Sequence, residues 1–598
     1  MIGLEVHIQL QGNKLFCSCP TESTYDTGKM VKRYLRLSSG ELGKFDMAAK
    51  YETQRSRYFE YRVFGNDCLV DLDEEPPHEL NREALKRAIA LSLSLNCSIV
   101  DKITYMRKIV LDGSNTSGFQ RTGIVGFNGY VNTSRGRVRI STVCLEEDAS
   151  RKLSEEGNEV LYSLERLGVP LVEISTEPDI LDANHAMETA ESIGKLAILS
   201  GWSRKGAEAI RQDVNFSVGH GRVEIKGVQK ISLIASSLEY EKKRHLILVE
   251  ISSKLRSRYD PERVSFTDVS KLFTKTKSKT IISGMKANKK VYASVLPGMK
   301  GYLKKGNFRL GLEIADVARL YGAGGILHSD ELPGYGIDSE LKALSELLDL
   351  RDDDAFAILV CDEDKIQIIS QEIRERITRL LNLELSETRF VDDDGVTHYL
   401  RPLPGRERMY PETDIDVINL TPALISECNE MIPKTEEQIV NEFVRAYGIS
   451  RQDALSILNK GLVDPFKELT GIISDPRLSS RILNQLLPEL SRRLGIKISP
   501  RSMLDAVSGC ISAGIQPSVI ESALSKHFTD GTSFDDLSNM PGLQVLSRIT
   551  LKKIIQDLLV SEQDTTIKNL IPRIRAKVEG AFDPKMAMEI YWELVGHS

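Results

Sequence analysis

The chain has 598 residues, 41% hydrophobic and 27% charged, with a formal net charge of -6. A single core seldom grows past about 250 to 300 residues, so three to five domains are expected, and this composition excludes the disordered and fibrous classes. No run reaches the roughly 18 apolar residues of a membrane span, and the first residues lack the basic and apolar regions of a signal peptide, so a cytoplasmic protein with no membrane partner is expected. The eight cysteines are scattered, which suits reduced thiols better than a disulfide framework.

The opening "MIGLEVHIQL" puts Ile2, Leu4, Val6, Ile8 and Leu10 on one parity and Gly3, Glu5, His7 and Gln9 on the other, predicting a strand. Its polar face is either solvated or part of a site. Cys17 and Cys19 with distant Cys68 invite a zinc reading, but a structural zinc wants four ligands and only His78 offers itself as a fourth. Buried thiols are the better reading. "NREALKRAIALSLSL" has helical periodicity. The loop "RKIVLDGSNTSGFQRTG", residues 107–123, is rich in small donor residues beside Arg107, Lys108 and Arg121, a composition that suits either an anion cradle or a flexible turn.

"RVRISTVCLEEDA" ends in Glu146, Glu147 and Asp148, and "VPLVEISTEPDI" carries Glu173, Glu177 and Asp179. After the helical "NHAMETAESIGKLAILSG", residues 211–226 read as a β-hairpin turning at Gly219–Gly221, with Arg211, Asp213 and Asn215 on one polar face and Glu224 and Lys226 on the other strand. If these strands share a sheet, their carboxylates require cations, and hard oxygen donors with one His suit Mg²⁺ bridging to phosphate. No Walker motif and no nucleophile framed by a base occurs.

Residues 241–310 hold 18 Lys or Arg against 5 Asp or Glu, an excess of +13 that leaves -19 for the remainder. Such a segment is either a solvated basic face or a surface for a polyanion. Residues 257–382 read as a separate unit, and beyond about residue 420 short amphipathic helices take over.

"IGLEVHIQL", "KLFCSC", "LEEDA", "RLGVPLVEISTEPDI", "RQDVNFSV", "VEIKGV", "ETRFVDDDGVTHYLRPLP" and "RMYPETDI" together resemble the B/E subunit family of tRNA-dependent amidotransferases. "CLVDLDEEPPHELN" and "SLERLGVPL" are closer to the archaeal E-type chain than to the bacterial B-type chain. The resemblance implies an α+β, multi-domain chain: a catalytic cradle built on an antiparallel sheet (1–256, completed by 383–420), an inserted α+β domain similar to one of bacterial-type aspartyl-tRNA synthetases (257–382), a helical domain (421–505) and a helical, tRNA-binding tail (506–598). Family members usually have a short lead before the first motif, which places the expected start upstream of Met1.

The implied reaction is ATP- and Mg²⁺-dependent phosphorylation of the glutamate side chain on Glu-tRNA(Gln), followed by amidation to Gln-tRNA(Gln). Ammonia would come from an asparaginase-like D subunit, in a heterotetramer of two D and two E subunits. By motif, Glu5, His7 and Glu147 are the implied magnesium ligands, with Glu146 and Glu224 as further candidates. Asp213 and Asn215 join Glu5, His7 and Glu147 as implied catalytic residues. Arg211 and Lys226 are assigned, with them, to ATP or the glutamyl group, and Arg107 and Lys108 to phosphate. In the tail, Arg573, Arg575 and Lys577, with Arg492 and Arg493, are the candidate tRNA contacts. The competing reading is a tRNA-binding paralogue without catalysis.

Overall fold

The alternation at the start forms strand β1 (Ile2–Gln9), and both of its faces are covered: Leu4, Val6 and Ile8 are buried on one, Gln9 and His7 on the other. Burying three such aliphatic side chains stabilises by about 1.5–3 kcal/mol each, which fixes the register, because a one-residue slip would exchange the faces. The computed structural model describes all residues except 23–24, 207, 305–307, 541–542, 544–545, 562–565, 567–568, 579–581, 583 and 597–598. The fold is mixed α and β, with several sheets followed by a helical C-terminal region. Among the described residues no helix is long and apolar enough to cross a membrane.

The first compact unit, Met1–Pro433, is organised by one large sheet. Its elements, in chain order with β1, are α1 (Met47–Gln54), α2 (Arg82–Ser94), β2 (Met106–Ile109), β3 (Phe119–Thr133), β4 (Gly136–Glu147), β5 (Pro170–Thr176), α3 (Ala183–Ser200), β6 (Ile210–Ser217), β7 (Arg222–Val228), α4 (Ile231–Leu255), α5 (Lys279–Lys286), β8 (Lys290–Leu296), α6 (Leu310–Leu320), β9 (Ala355–Cys361), α7 (Ile366–Leu381), β10 (Glu387–Val391), β11 (Thr397–Pro402), β12 (Met409–Pro411) and α8 (Pro422–Glu430). The large sheet runs β11-β10-β7-β6-β1-β5-β4-β3-β2-β12, with Ser98–Ile99 pairing β3 off this path. Every pairing is antiparallel except β7 with β10, which is parallel and therefore needs a crossover, here residues 229–386.

Helices α2 and α3 pack on the apolar face. Asp182 caps α3 by accepting from the His185 amide, and Gly201 ends it in the left-handed conformation (φ 71°). Helix α8 packs on α2, and the first compact unit runs to Pro433.

Residues 257–382 build their own four-stranded sheet around β8 and β9, yet they belong to the same compact unit. One reason is a shared apolar cluster that mixes Leu296, Ile314 and Ile373 with Tyr51, Leu248 and Tyr399. The other is a buried ionic cluster of three arginines and three glutamates drawn from α4, α6, α7 and β10. Arg244 Nε lies 2.7 Å from Glu313, its Nη2 2.7 Å from Glu387 and its Nη1 3.0 Å from Glu241. Arg389 reaches Glu387 at 2.7 Å, Glu313 at 3.0 Å and Glu241 at 3.0 Å, and Arg376 pairs with both Glu313 and Glu387. The six charges cancel, which is the condition under which burial of ions is tolerated.

The second compact unit, Lys434–Ser598, is helical. Its first helix, α9 (Glu436–Tyr447), opens with a capping box of Thr435 and Gln438. One apolar cluster extends from Val440 to Leu543 and a second from Leu551 to Tyr591. The expected division at 505/506 falls inside the helix Pro500–Ser512, whose Leu504 and Ala506 sit in the first cluster. A break there would cut a continuous hydrogen-bonded helix, so the apolar clusters divide after Leu543.

The ionic cluster sets a pH dependence. Burial opposes ionisation of its carboxyls, but Arg244, Arg376 and Arg389 override it, holding Glu241 and Glu313 well below the ordinary range and Glu387 at about 2. Because the folded values lie below the unfolded ones, the contribution is complete above about pH 4.5 and is lost as pH falls through the folded values. We expect Glu313→Gln to destabilise the first unit by about 3–5 kcal/mol, since it strands buried guanidinium charge. Denaturant melts at pH 7 and pH 3 test this: the difference between variant and parent should shrink at the lower pH, and an unchanged midpoint at pH 7 would remove the cluster from any structural role.

Candidate functional site

Strand pleating decides which polar residues meet. On the polar face of β1, Glu5 lies opposite Asp213 of β6 and Ser175 of β5, and His7 lies opposite Arg211 and Glu173. Asn215 lies opposite Glu224 of β7. Asn215 Nδ2 donates to Glu5 Oε1 at 3.0 Å. The Lys226 ammonium stands between two carboxylates, 2.9 Å from Asp213 and 2.6 Å from Glu224, while the Gly227 amide donates to the other Asp213 oxygen at 3.0 Å. Oxygens of Glu5, Asp213 and Glu224 lie within 4.8 Å of one another. Five of the sequence-selected residues (Glu5, Asp213, Asn215, Glu224 and Lys226) thus converge.

The electrostatics of this group are unbalanced. Burial, with the carboxylates of Glu173, Glu224 and Asp213, pushes Glu5 up to about 7 against the pull of Lys226. Burial also opposes ionisation of Asp213 and Glu224, but Lys226 outweighs it and both are held low. Asn215 Oδ1 and His7 Nδ1 are buried and have no hydrogen-bond partner among the described residues. A hard cation suits this set: three carboxylate donors, one of them kept from ionising by its neighbours, beside an orphaned amide oxygen. Glu5, Asp213 and Glu224 would hold it.

His7 turns away from that trio. Its Nε2 lies 3.4 Å from Glu173, and this hydrogen bond raises its pKa although burial works against protonation. Farther along the same face, Lys108 Nζ is 2.7 Å from Glu146 and 3.7 Å from Glu173. Glu146 also accepts from Thr122 (2.5 Å) and Gln120 (2.9 Å). A cavity of about 840 Å³ opens beside these groups, lined by Lys108, Glu146, Glu173, Phe127 and Arg408 among others. Arg211 is not free for a ligand in this arrangement: it reaches Asp148 at 2.6 Å, and Gln9 donates to the same carboxylate at 2.6 Å.

Strand parity places two of the sequence-selected residues on the other face of the sheet. Glu147 follows Glu146 in β4 and so projects from the opposite face, where it pairs with Arg121 at 3.2 Å instead of joining Glu5 and His7. Arg107 precedes Lys108 in β2 and is separated from it in the same way. On that reverse face Arg121 reaches Glu412 at 2.8 Å, and Arg107 reaches Glu412 at 2.6 Å and Asp414 at 3.0 Å, so Glu147, Arg121, Glu412, Arg107 and Asp414 form one chain of charges.

The 107–123 loop uses its donors internally: Thr116 Oγ1 donates to the Asp71 carbonyl (2.7 Å) and the Ser114 amide to Asp112 (2.9 Å). Cys17, Cys19 and Cys68 do come together, but the fourth member of the group is Asp71 and not His78. One Asp71 oxygen is already held by Lys14 at 3.0 Å and by the Cys68 amide at 3.0 Å, while the exposed His78 lies 3.0 Å from Glu75.

Sequence reasoning missed two contributors to the polar face. Thr388 of β10, fully buried, donates to Glu224 at 3.2 Å. Arg401 of β11, opposite Thr388, sits 3.5 Å from Asp112 and keeps a buried Nε without a partner. Both lie in quoted motifs, but nothing in a linear pattern shows that a strand 160 residues downstream of the hairpin pairs with it.

A family model described as the GatB/GatE catalytic domain matches residues 1–426. The chain belongs to the GatB/GatE family. Its relatives include three archaeal proteins, each named as the E subunit of glutamyl-tRNA(Gln) amidotransferase. That of Thermoplasma acidophilum is 46% identical, covering 99% of this chain and 98% of its own. Those of Methanocaldococcus jannaschii and Saccharolobus solfataricus are 38% and 37% identical, each covering 98% of this chain and 97% and 96% of their own. Membership in this amidotransferase family makes the chain a member of a ligase family.

In the tail unit, Arg492 and Arg493 are exposed in the last turn of α10 (Leu487–Leu494), and Arg575 and Lys577 are exposed on α11 (Leu570–Lys577), with Arg573 half-buried. The two groups lie on helices of different apolar clusters.

The two faces separate in a binding experiment. Titrated with Mn²⁺ as a spectroscopic stand-in, Asp213→Asn should bind at least tenfold more weakly than the parent. Glu147→Gln should leave Mn²⁺ affinity within twofold but lower the melting temperature by several degrees, because it removes one of the two carboxylates that pair with buried Arg121. Loss of Mn²⁺ binding in Glu147→Gln with an unchanged melt would return Glu147 to the metal set.

Proposed function

We propose that this chain phosphorylates the side chain of glutamate carried on tRNA(Gln) and then forms the amide, giving Gln-tRNA(Gln). The observation that carries the reading is the convergence of Glu5, Asp213 and Glu224 beneath Lys226, on a face that also offers Lys108 and a cavity. Phosphoryl transfer to a carboxylate is mostly positioning and charge neutralisation, so acids that hold a cation and lysines aimed at phosphate are what it requires.

Magnesium, when bound, would neutralise the phosphates of ATP. Among the chain's own groups, Glu5, Asp213 and Glu224 would hold the metal, and Lys226 would supply charge toward phosphate with Lys108 and Arg401. Asn215 and Thr388 orient Glu5 and Glu224 through the hydrogen bonds already described. The attacking group is a carboxylate oxygen and needs no base: it bonds to the γ-phosphorus as the bond to ADP breaks. Ammonia then bonds to the acyl carbon, phosphate leaves with the former carboxylate oxygen and takes up the proton that the nitrogen sheds, and the amide remains. The buried sheet face protects the acyl phosphate from water.

In this reading residues 1–256 and 383–420 are the catalytic cradle, 257–382 the insertion similar to that of aspartyl-tRNA synthetases, and the helical unit grips tRNA through Arg492, Arg493, Arg573, Arg575 and Lys577. An asparaginase-like partner supplies ammonia within a heterotetramer of two copies of each chain. The names of the archaeal relatives support the amidotransferase assignment.

The test is ADP release by the purified chain with its asparaginase-like partner, ATP and Mg²⁺. We expect turnover with Glu-tRNA(Gln) at least a hundredfold above that with uncharged tRNA, and Gln-tRNA(Gln) when glutamine is present. Binding of tRNA with no ADP above background would support the non-catalytic paralogue instead.

A further inference from the structure

The acid-poor stretch around α5 belongs to none of the roles above. From Val269 to Leu312 the sequence contains no Asp or Glu, while it contains ten lysines and Arg309. Several of these cations find carboxylates from elsewhere: Lys289 with Asp362, Lys290 with Glu363, and Lys304 and Arg309 with Glu331. Lys271, Lys275, Lys277, Lys279 and Lys286 are exposed and make no ion pair among the described residues.

Their arrangement is built. Residues 275–279 alternate, with Lys275, Lys277 and Lys279 outward and Thr276 and Ser278 buried. Lys275 lies in a turn, Lys277 follows without regular structure and Lys279 opens α5, and exposed like charges this close in sequence repel. Ser278, with an extended backbone, precedes α5, and α5 lies directly on the sheet: a Cβ on Gly284 would overlap the Val360 side chain, and Ile281 is buried beneath it. Val269, Phe273 and Ile337 complete that apolar base.

A second observation concerns Tyr335. Gly336 packs against the Lys277 carbonyl so closely that a Cβ there would come within 2.6 Å, which sets Tyr335 beside the lysine-rich segment. Tyr335 is 56% exposed and adopts a positive φ of 55°, a conformation that bulky residues rarely take. A row of unpaired cations on a rigid base, flanked by an outward aromatic ring, is the pattern that tracks a nucleic-acid backbone and stacks a base.

We infer that Lys271, Lys275, Lys277 and Lys279, with Lys286 and Tyr335, form a second RNA-docking surface on the inserted sheet, binding an unpaired or backbone-exposed stretch of the tRNA. The inference rests on the tRNA reading above and adds a contact far in sequence from the tail. Neutralising each phosphate releases counterions, so this surface should contribute to the salt dependence of binding.

The experiment measures tRNA(Gln) binding by fluorescence anisotropy from 50 to 300 mM NaCl, using the full chain. The variants are Lys275→Glu/Lys277→Glu/Lys279→Glu and, separately, Tyr335→Ala, with Lys242→Glu/Lys243→Glu as a control on the exposed side of α4. We expect the triple variant to bind at least tenfold more weakly at 150 mM NaCl, with the slope of log K against log salt reduced by about 2 to 3. Tyr335→Ala should weaken binding at least fivefold with no change in slope, and the control should stay within twofold. Equal affinity and slope in parent and triple variant would overturn the inference, as would a loss confined to heparin with tRNA binding intact. A parent chain that binds no tRNA would instead overturn the tRNA reading itself. Unchanged thermal melts of the variants exclude unfolding as the cause.

Discussion

The pleat of one sheet governs this protein more than any single bond. Successive residues of a strand leave on opposite sides, so Glu146 and Glu147, or Arg107 and Lys108, are neighbours in sequence but members of different electrostatic systems. One system, around Glu5 and Lys226, is rich in unbalanced carboxylate. The other, around Arg121 and Glu412, is an alternating chain of opposite charges that ties β2, β3, β4 and the segment after β12 together. The apolar residues of β1, β5 and β6 separate the first system from the solvent beyond α2 and α3.

Two buried clusters of similar composition behave differently because of their charge balance. Around Arg244, three guanidinium groups meet three carboxylates and the charges cancel, although Arg376 Nε has no hydrogen-bond partner among the described residues. Around Glu5 the acids outnumber the ammonium groups, one carboxyl is forced toward its neutral form, and an amide oxygen is left without a partner. The first arrangement gives cohesion to the joint between the insertion and the large sheet. The second holds electrostatic free energy that a cation can release, which is the property expected of a site.

Much of this was legible in the sequence. The alternation at residues 2–9 and the hairpin at 211–226 gave strands with the right faces, because each carries a strict period of two beside buried aliphatics. Motif resemblance named Glu5, Asp213, Asn215, Glu224 and Lys226, which do converge. It gave no sign that Glu147 lies on the opposite face from Glu146 and Lys108, because a motif preserves order and ignores parity. Thr388 and Arg401 were hidden by distance: pairing of β10 with β7 depends on packing across the whole excursion, which no local pattern encodes. Amphipathic periodicity likewise shows where helices are but not which core each one joins: α8 packs on α2 in the first unit, and the helix Pro500–Ser512 runs unbroken through residue 505.

The parallel pairing of β7 with β10 also sets an order of events during synthesis. When the ribosome has delivered the first 250 residues, β7 is an open edge, Glu224 lacks the hydroxyl of Thr388, and Arg401 does not yet exist as part of the chain. The polar face therefore remains unfinished until residue 402 emerges, after the whole excursion between the two strands has been made. No N-terminal fragment, however well folded, carries the complete face, and the molecule keeps this face incomplete until two thirds of it has been translated.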